Sequence, residues 1–167
     1  MGRVQDKVAV VTGAGMGLGR AIALRLAEEG AQLALGDIDG PALEKTVADI
    51  KARGGRAFGL VGDVTDEAGA AKLVSEAAAR HGGRLDVLVN NVGGGARGKI
   101  WEMSLEAWDS VIRLNLRGTF LCTRAAAPIM MKQRAGRIVC LSSGAKEGTP
   151  WSAYALGNSA YSTTKAG

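Results

Sequence analysis

Tyr161-Ser162-Thr163-Thr164-Lys165 sets a phenol and an ammonium four residues apart, which places both on one face of a helix. A free phenol ionises near pH 10, too high for a base at neutral pH. A neighbouring lysine cation favours the phenolate and makes the tyrosine usable as an acid and a base. The spacing alone is common, because tyrosine and lysine often simply share a surface. Upstream, Ser142 and Ser143 close an apolar run, where a hydroxyl can hold a substrate oxygen.

Two further groups point to a nucleotide. Thr12-Gly13-Ala14-Gly15-Met16-Gly17-Leu18-Gly19 follows the apolar Val8-Ala9-Val10-Val11. Backbone amides approach a pyrophosphate closely only where side chains are absent, and a helix N-terminus behind them adds partial positive charge. The strict GxGxxG spacing is not met, and no Lys-Ser/Thr pair follows, which excludes a P-loop. Asp37 lies eighteen residues beyond Gly19. A carboxylate there can accept hydrogen bonds from both hydroxyls of an adenosine ribose and would repel a 2′-phosphate. Met16 rather than a basic residue precedes Gly17, and Ile38 follows Asp37, so NAD is favoured over NADP. Asp37 can alternatively cap a turn. Asp63, followed by Val64, can hold an adenine amino group or open the turn before Thr65. Asn115 continues the helical spacing of Leu105, Trp108 and Ile112. That spacing predicts a buried amide, which needs partners: a water, a backbone group or a purely structural bond.

The elements that must position these residues alternate along the chain. Strands are predicted at Val8–Val11, Leu33–Leu35, Ala57–Gly62, Leu85–Val89 and Ile138–Leu141. Helices are predicted at Ala21–Glu29, from a cap near Asp39 to Gly54, from a Thr65 cap to Gly82, over Leu105–Lys132 with a break, and from about Ser159. Such alternation implies right-handed βαβ crossovers and a parallel sheet covered on both faces, with ligands at the carboxyl ends of the strands. The glycine loop, Asp37, Asp63-Val64 and Asn90-Asn91-Val92-Gly93 all fall at those ends. The expectation is a single α/β domain over 1–167, a Rossmann-like doubly wound sheet.

Composition narrows the alternatives. Glycine makes up 25 of 167 residues and proline only 3, with no Gly-X-Y period, so the glycines serve turns and close approaches. Cys122 and Cys140 stand apart and read as buried thiols, with no metal site indicated. No run approaches the roughly 18 apolar residues of a membrane helix, and the first residues lack a signal-peptide core, so the expected location is cytoplasmic. Residues 1–112 carry 13 basic and 15 acidic side chains, whereas 113–167 carry 8 basic residues and only Glu147. No aromatic residues interleave these basic ones, which argues against nucleic acid. A methyltransferase would share the glycine loop but usually wants an acid where Val11 stands.

Taken in order, TGxxxGxG at 12–19, Asp37, Asp63-Val64, the NNxG segment at 90–93, Asn115, the strand-end serines and YxxxK at 161–165 resemble the classical short-chain dehydrogenase/reductase family. The resemblance implies a hydride passed between NAD and an alcohol or carbonyl compound of small size. Tyr161 would be the general acid/base, Ser143 would orient the substrate oxygen, and Lys165 would bind the nicotinamide ribose and assist the tyrosine. Asn115 would hold a water in the proton relay. Gly13, Gly17, Leu18, Gly19, Asp37, Asp63, Val64, Asn91 and Gly93 would line the cofactor. The family also implies a homo-oligomer, dimer or tetramer, for the full-length protein.

Three departures stand out. Val92 replaces the usual alanine of NNAG. The interval from Ser143 to Tyr161 is eighteen residues, longer than usual; it contains Tyr154, followed four later by Asn158 rather than lysine, and Trp151, expected to line or lid the substrate pocket. Finally, family members run to roughly 250 residues, still within the single-domain range, so five strands of an expected seven are present. A catalytically competent polypeptide is therefore expected to exceed 17.2 kDa. Intact-mass measurement of the purified protein checks this, and a mass of 17.2 kDa would predict weak NAD binding and no turnover.

Overall fold

The computed structural model describes residues 2–147 and 157–167; Trp151 and Tyr154 lie outside them. Five parallel strands, β1 (Val8–Thr12), β2 (Gln32–Asp37), β3 (Arg56–Val61), β4 (Val87–Asn90) and β5 (Arg137–Cys140), form one sheet in the order β3-β2-β1-β4-β5. Helices α1 (Gly17–Glu28), α2 (Gly40–Ala52), α3 (Glu67–Ala79), α4 (Leu105–Ile112), α5 (Gly118–Gln133) and α6 (Ser159–Ala166) connect and cover it.

Strand alternation explains the two layers. Val8 and Val10 point to one side of β1 and pack with Leu73, Val74, Leu85 and Leu121. Ala9 and Val11 point to the other and pack with Leu33, Leu35, Leu43 and Ile50. Both sides of β1 are buried, the pattern of a central parallel strand. The sheet is thus doubly wound, with the chain turning in opposite directions from β1 and from β4.

Caps set the helix starts. Asp39 accepts a hydrogen bond from the Ala42 amide, and Pro41 stands in the first turn, a position that needs no amide donor. Ser104 accepts from the Ala107 amide ahead of α4. Ahead of α3 the cap is Asp66, which accepts from the Gly69 amide, and not Thr65 as expected. The Thr65 amide is already taken by the Asp63 carboxylate at 2.8 Å, so the helix starts one residue later. α1 begins at Gly17, a full turn before Ala21.

Two more expectations are corrected. Leu105 does not face inward: it is exposed and shares a shallow surface depression with Ile100, Met103 and Trp108, because the first turn of α4 extends past the sheet. The predicted break is a five-residue π-helical turn, Arg113–Arg117, between α4 and α5. Cys140 is exposed whereas Cys122 is buried, since β5 is an edge strand with all four residues exposed. The basic last third of the chain reaches back to earlier acids: Arg124 pairs with Glu67, and Arg113 stands 4.0 Å from Asp63. Among the described residues no helix is long and apolar enough to cross a membrane.

The two thiols are expected to separate chemically. Burial pushes the Cys122 thiol up to about 11, against about 8.5 in an unfolded chain, so the folded protein holds its thiolate fraction near zero at neutral pH. Iodoacetamide at pH 8 is expected to label Cys140 in the native 167-residue chain and Cys122 only after denaturation, as read by peptide mass mapping. The unfolded chain releases the Cys122 proton first, so this group erodes stability as pH climbs from about 8.5 towards 11.

Candidate active site

The carboxyl ends of β1 and β4 are locked together by one hydroxyl and one amide. Thr12 Oγ1 accepts from the Asn91 and Val92 backbone amides at 3.0 and 3.1 Å. The Asn91 side chain donates to the carbonyls of Thr12 and Gly13 at 2.9 and 3.1 Å. This fixes the glycine turn against the β4 loop. A Cβ on Gly19 would lie 1.9 Å from the Gly13 carbonyl oxygen, so only glycine lets α1 start this close. Gly17 has φ +54°, a left-handed conformation that suits glycine.

Beside that turn, Asp37 at the end of β2 accepts from the Gly15 amide at 2.7 Å and the Asp39 amide at 3.0 Å. Its turn-capping role and its position on the cleft wall are therefore both realised, and each carboxylate oxygen keeps a second lone pair. Asp63 likewise opens the turn at Thr65 while lining the same cleft with Val64.

Asn115 owes its burial to the π-helical turn, whose extra residue widens the helix. Its side chain is 5% exposed. Oδ1 accepts from the Gly94 amide at 2.9 Å, while Nδ2 donates to the Gly94 carbonyl at 2.7 Å and to Thr164 Oγ1 at 3.0 Å. Both amide protons are thereby engaged, so the side chain works as a clamp between the β4 loop and α6. A Cβ on Gly93 would stand 2.6 Å from Asn115 Oδ1 and 3.2 Å from Lys165 Nζ, which keeps that position bare.

α6 carries the phenol and the ammonium. Lys165 Nζ donates to the Leu141 carbonyl at 2.7 Å and lies 5.6 Å from the centre of the Tyr161 ring. Ser142 Oγ donates to the Lys165 carbonyl at 2.9 Å, tying the end of β5 to the helix. Ser143 Oγ accepts from the Ala145 amide at 3.2 Å, which leaves its proton to donate. Of the two serines, Ser142 lines the main cleft and Ser143 sits behind it.

These groups surround one cleft of about 650 Å³ at the carboxyl ends of the strands. Gly13, Leu18, Asp37, Asp63, Val64, Asn91, Gly93, Tyr161 and Lys165 line it, whereas Gly17, Gly19, Asn115 and Ser143 do not. Sequence reasoning did not single out Thr164 or Arg113. A polar residue at a spacing of three from Tyr161 was the available signal for Thr164.

A doubly wound parallel sheet with its cleft at the β1/β4 switch point defines a Rossmann-like nucleotide-binding architecture. Residues 7–167 match the model of the short chain dehydrogenase family, and the chain belongs to that family. It is 40% identical over 164 residues to the (2S)-[(R)-hydroxy(phenyl)methyl]succinyl-CoA dehydrogenase subunit BbsD of Thauera aromatica, covering 98% of this chain and 63% of the relative. It is also 40% identical over 168 residues to the 2-dehydro-3-deoxy-L-rhamnonate dehydrogenase (NAD(+)) of Sphingomonas sp. strain SKA58, covering 99% and 63%. The chain thus spans about 63% of the length of these curated relatives. Among solved structures, a short chain dehydrogenase from Mycobacterium smegmatis superposes with a TM-score of 0.92 at 32% identity, over all of this chain and 68% of that one. A 7 alpha-hydroxysteroid dehydrogenase complexed with NADH and 7-oxo glycochenodeoxycholic acid does so with 0.90 at 32%, over 98% and 62%.

The Asn115 clamp should be measurable. Asn115→Ala leaves the partly buried Gly94 amide and carbonyl without their Asn115 partners and opens a small cavity, a cost of about 2–4 kcal/mol, and is expected to lower the melting temperature by roughly 5–15 °C. Calorimetry of the purified variant checks this, and a shift below 2 °C would mean the loop is held by something else.

Proposed function

We propose that this chain forms the dinucleotide-binding and catalytic part of an NAD-dependent oxidoreductase acting on a small alcohol or carbonyl compound. The observation that carries this reading is a single cleft with Asp37 at one end, a side-chain-free floor of glycines in the middle, and Tyr161 with Lys165 at the other. That donor set suits a dinucleotide. Asp37 would take the adenosine ribose hydroxyls, Asp63 and Val64 the adenine, the amides at the start of α1 the pyrophosphate, and Lys165 the nicotinamide ribose. Met16 and Ile38 line the cleft with Asp37, and neither offers a cation to a 2′-phosphate, which supports NAD over NADP. A relative named as NAD(+)-dependent and a structural neighbour complexed with NADH agree with this choice.

Bound NAD supplies the hydride acceptor for alcohol oxidation and, reduced, the hydride donor for the reverse. The chain's own residues handle the oxygen and its proton. Ser143, one residue beyond the cleft-lining Ser142, is proposed from the family resemblance to orient the substrate oxygen through its hydroxyl. Tyr161 Oη removes the hydroxyl proton as the carbonyl forms and returns it in reduction. Lys165 keeps a cation near that phenol while its Nζ stays anchored on the Leu141 carbonyl, which leaves two protons for ribose oxygens. The substrate is proposed to be anionic or thioester-bearing, as in the names of several relatives, and the intact protein is proposed to be a cytoplasmic homo-oligomer.

Fluorescence titration is expected to show NADH bound at least tenfold more tightly than NADPH, with Asp37→Ser narrowing that ratio to threefold or less. In the intact protein, assayed with 3-oxoacyl thioesters and sugar-acid substrates, Tyr161→Phe should lower kcat at least 100-fold and leave the NADH Kd within threefold. Equal kcat in the variant would make the protein a nucleotide binder in which Tyr161 moves no proton.

A further inference from the structure

The Thr164 hydroxyl occupies an unusual place. The residue is 4% exposed, and its hydroxyl both accepts from Asn115 Nδ2 at 3.0 Å and donates to the Tyr161 carbonyl at 2.8 Å. Asn115 in turn exchanges two hydrogen bonds with Gly94. The Asn115 carbonyl is held by Thr119 Oγ1 at 2.9 Å, which fixes the π-helical turn around it. One hydroxyl therefore joins three elements distant in sequence: the glycine wall after β4, the wide helical turn and the first turn of α6.

We infer that Thr164 is a positioning residue that sets the Tyr161–Lys165 turn in register with the glycine wall at Gly93–Gly95. The wall and the phenol are in direct contact range: a Cβ on Gly95 would come within 3.3 Å of Tyr161 Cβ. A small displacement of α6 relative to the wall therefore translates directly into displacement of Tyr161. Within α6 itself, a buried hydroxyl that returns its proton to a carbonyl three residues back adds little to helix stability. Its cross-link to Asn115 is a different matter. Removing it strands one proton of a buried amide, and the amide can then recover a partner only by turning away from Gly94. The effect of losing the hydroxyl should accordingly appear at Gly94, seventy residues away in sequence, as well as at Tyr161.

This inference rests on the catalytic reading above for its kinetic arm and is independent of it for its structural arm. The experiment compares Thr164→Val with Thr164→Ser in the intact protein. Amide hydrogen exchange at Gly94, followed by NMR, is expected to speed up at least tenfold in Thr164→Val and to stay within threefold of wild type in Thr164→Ser. With whichever thioester or sugar-acid substrate turns over, kcat should fall at least tenfold in Thr164→Val, with KM and the NADH Kd within threefold, and Thr164→Ser should restore it. If Thr164→Val does not fold, Thr164→Ala, which deletes the hydroxyl without adding a methyl, carries the same expectations. Unchanged Gly94 exchange on loss of the hydroxyl, or equal acceleration in Thr164→Ser, would overturn the inference. A wild-type protein without turnover but with the Gly94 response intact would overturn the catalytic reading alone.

Discussion

The chain leaves β1 to pair on one side and reaches β4 on the other, so the loops after these two strands must part from each other. Thr12 and Asn91 fill the fork. The hydroxyl accepts two amides of the β4 loop and the amide side chain covers two carbonyls of the β1 end. Four hydrogen bonds thereby cross the fork, two through the Thr12 hydroxyl and two through the Asn91 side-chain amide. The cleft exists because the strands diverge, and it keeps its shape because these bonds do not let the loops drift. Gly13, Gly19 and Gly93 can then bring backbone together without side chains, and Asp37 can reach across to the Gly15 amide.

The other wall is held by different means. Asn115 is presented by a locally widened helix, and its amide grips Gly94 and Thr164. Lys165 and Ser142 exchange bonds with the end of β5 and with α6. Buried polar networks of this kind are costly when half satisfied and rigid when complete. Here the network is complete at Asn115, which ties Gly94 to Thr164 on α6.

Much of this was legible in the sequence because it is local. The alternation of Val8 to Val11, the Asp39 cap and the α6 start near Ser159 all follow from neighbours within a few residues. Other features depend on partners far away. Thr65 and Asp66 are both good capping residues, and only the bond from the Thr65 amide to Asp63 decides between them. Cys140 reads as a core residue, and its exposure follows from β5 being the outermost of the five strands in this chain, where seven are expected. Asn115 was recognised as buried, but its partners lie 21 and 49 residues away, so its saturation by Gly94 and Thr164 could not be read from spacing. Leu105 matched the apolar period yet falls on a turn that overhangs the sheet.

The π-helical turn at Arg113–Arg117 is in effect one residue added to a helix, and each residue advances a helix by about 100°. α4 and α5 therefore run end to end while keeping separate angular phases. α5 faces the sheet through Leu121, Cys122, Ala126 and Met130, and α4 faces the cleft through Val111. The residues of α4 that border the cleft are thereby set on a different face from those of α5 that pack on the sheet. The helix that borders the cleft can thus diverge at little expense to the core, which gives a lineage room to change what the cleft accepts while keeping the sheet that supports it.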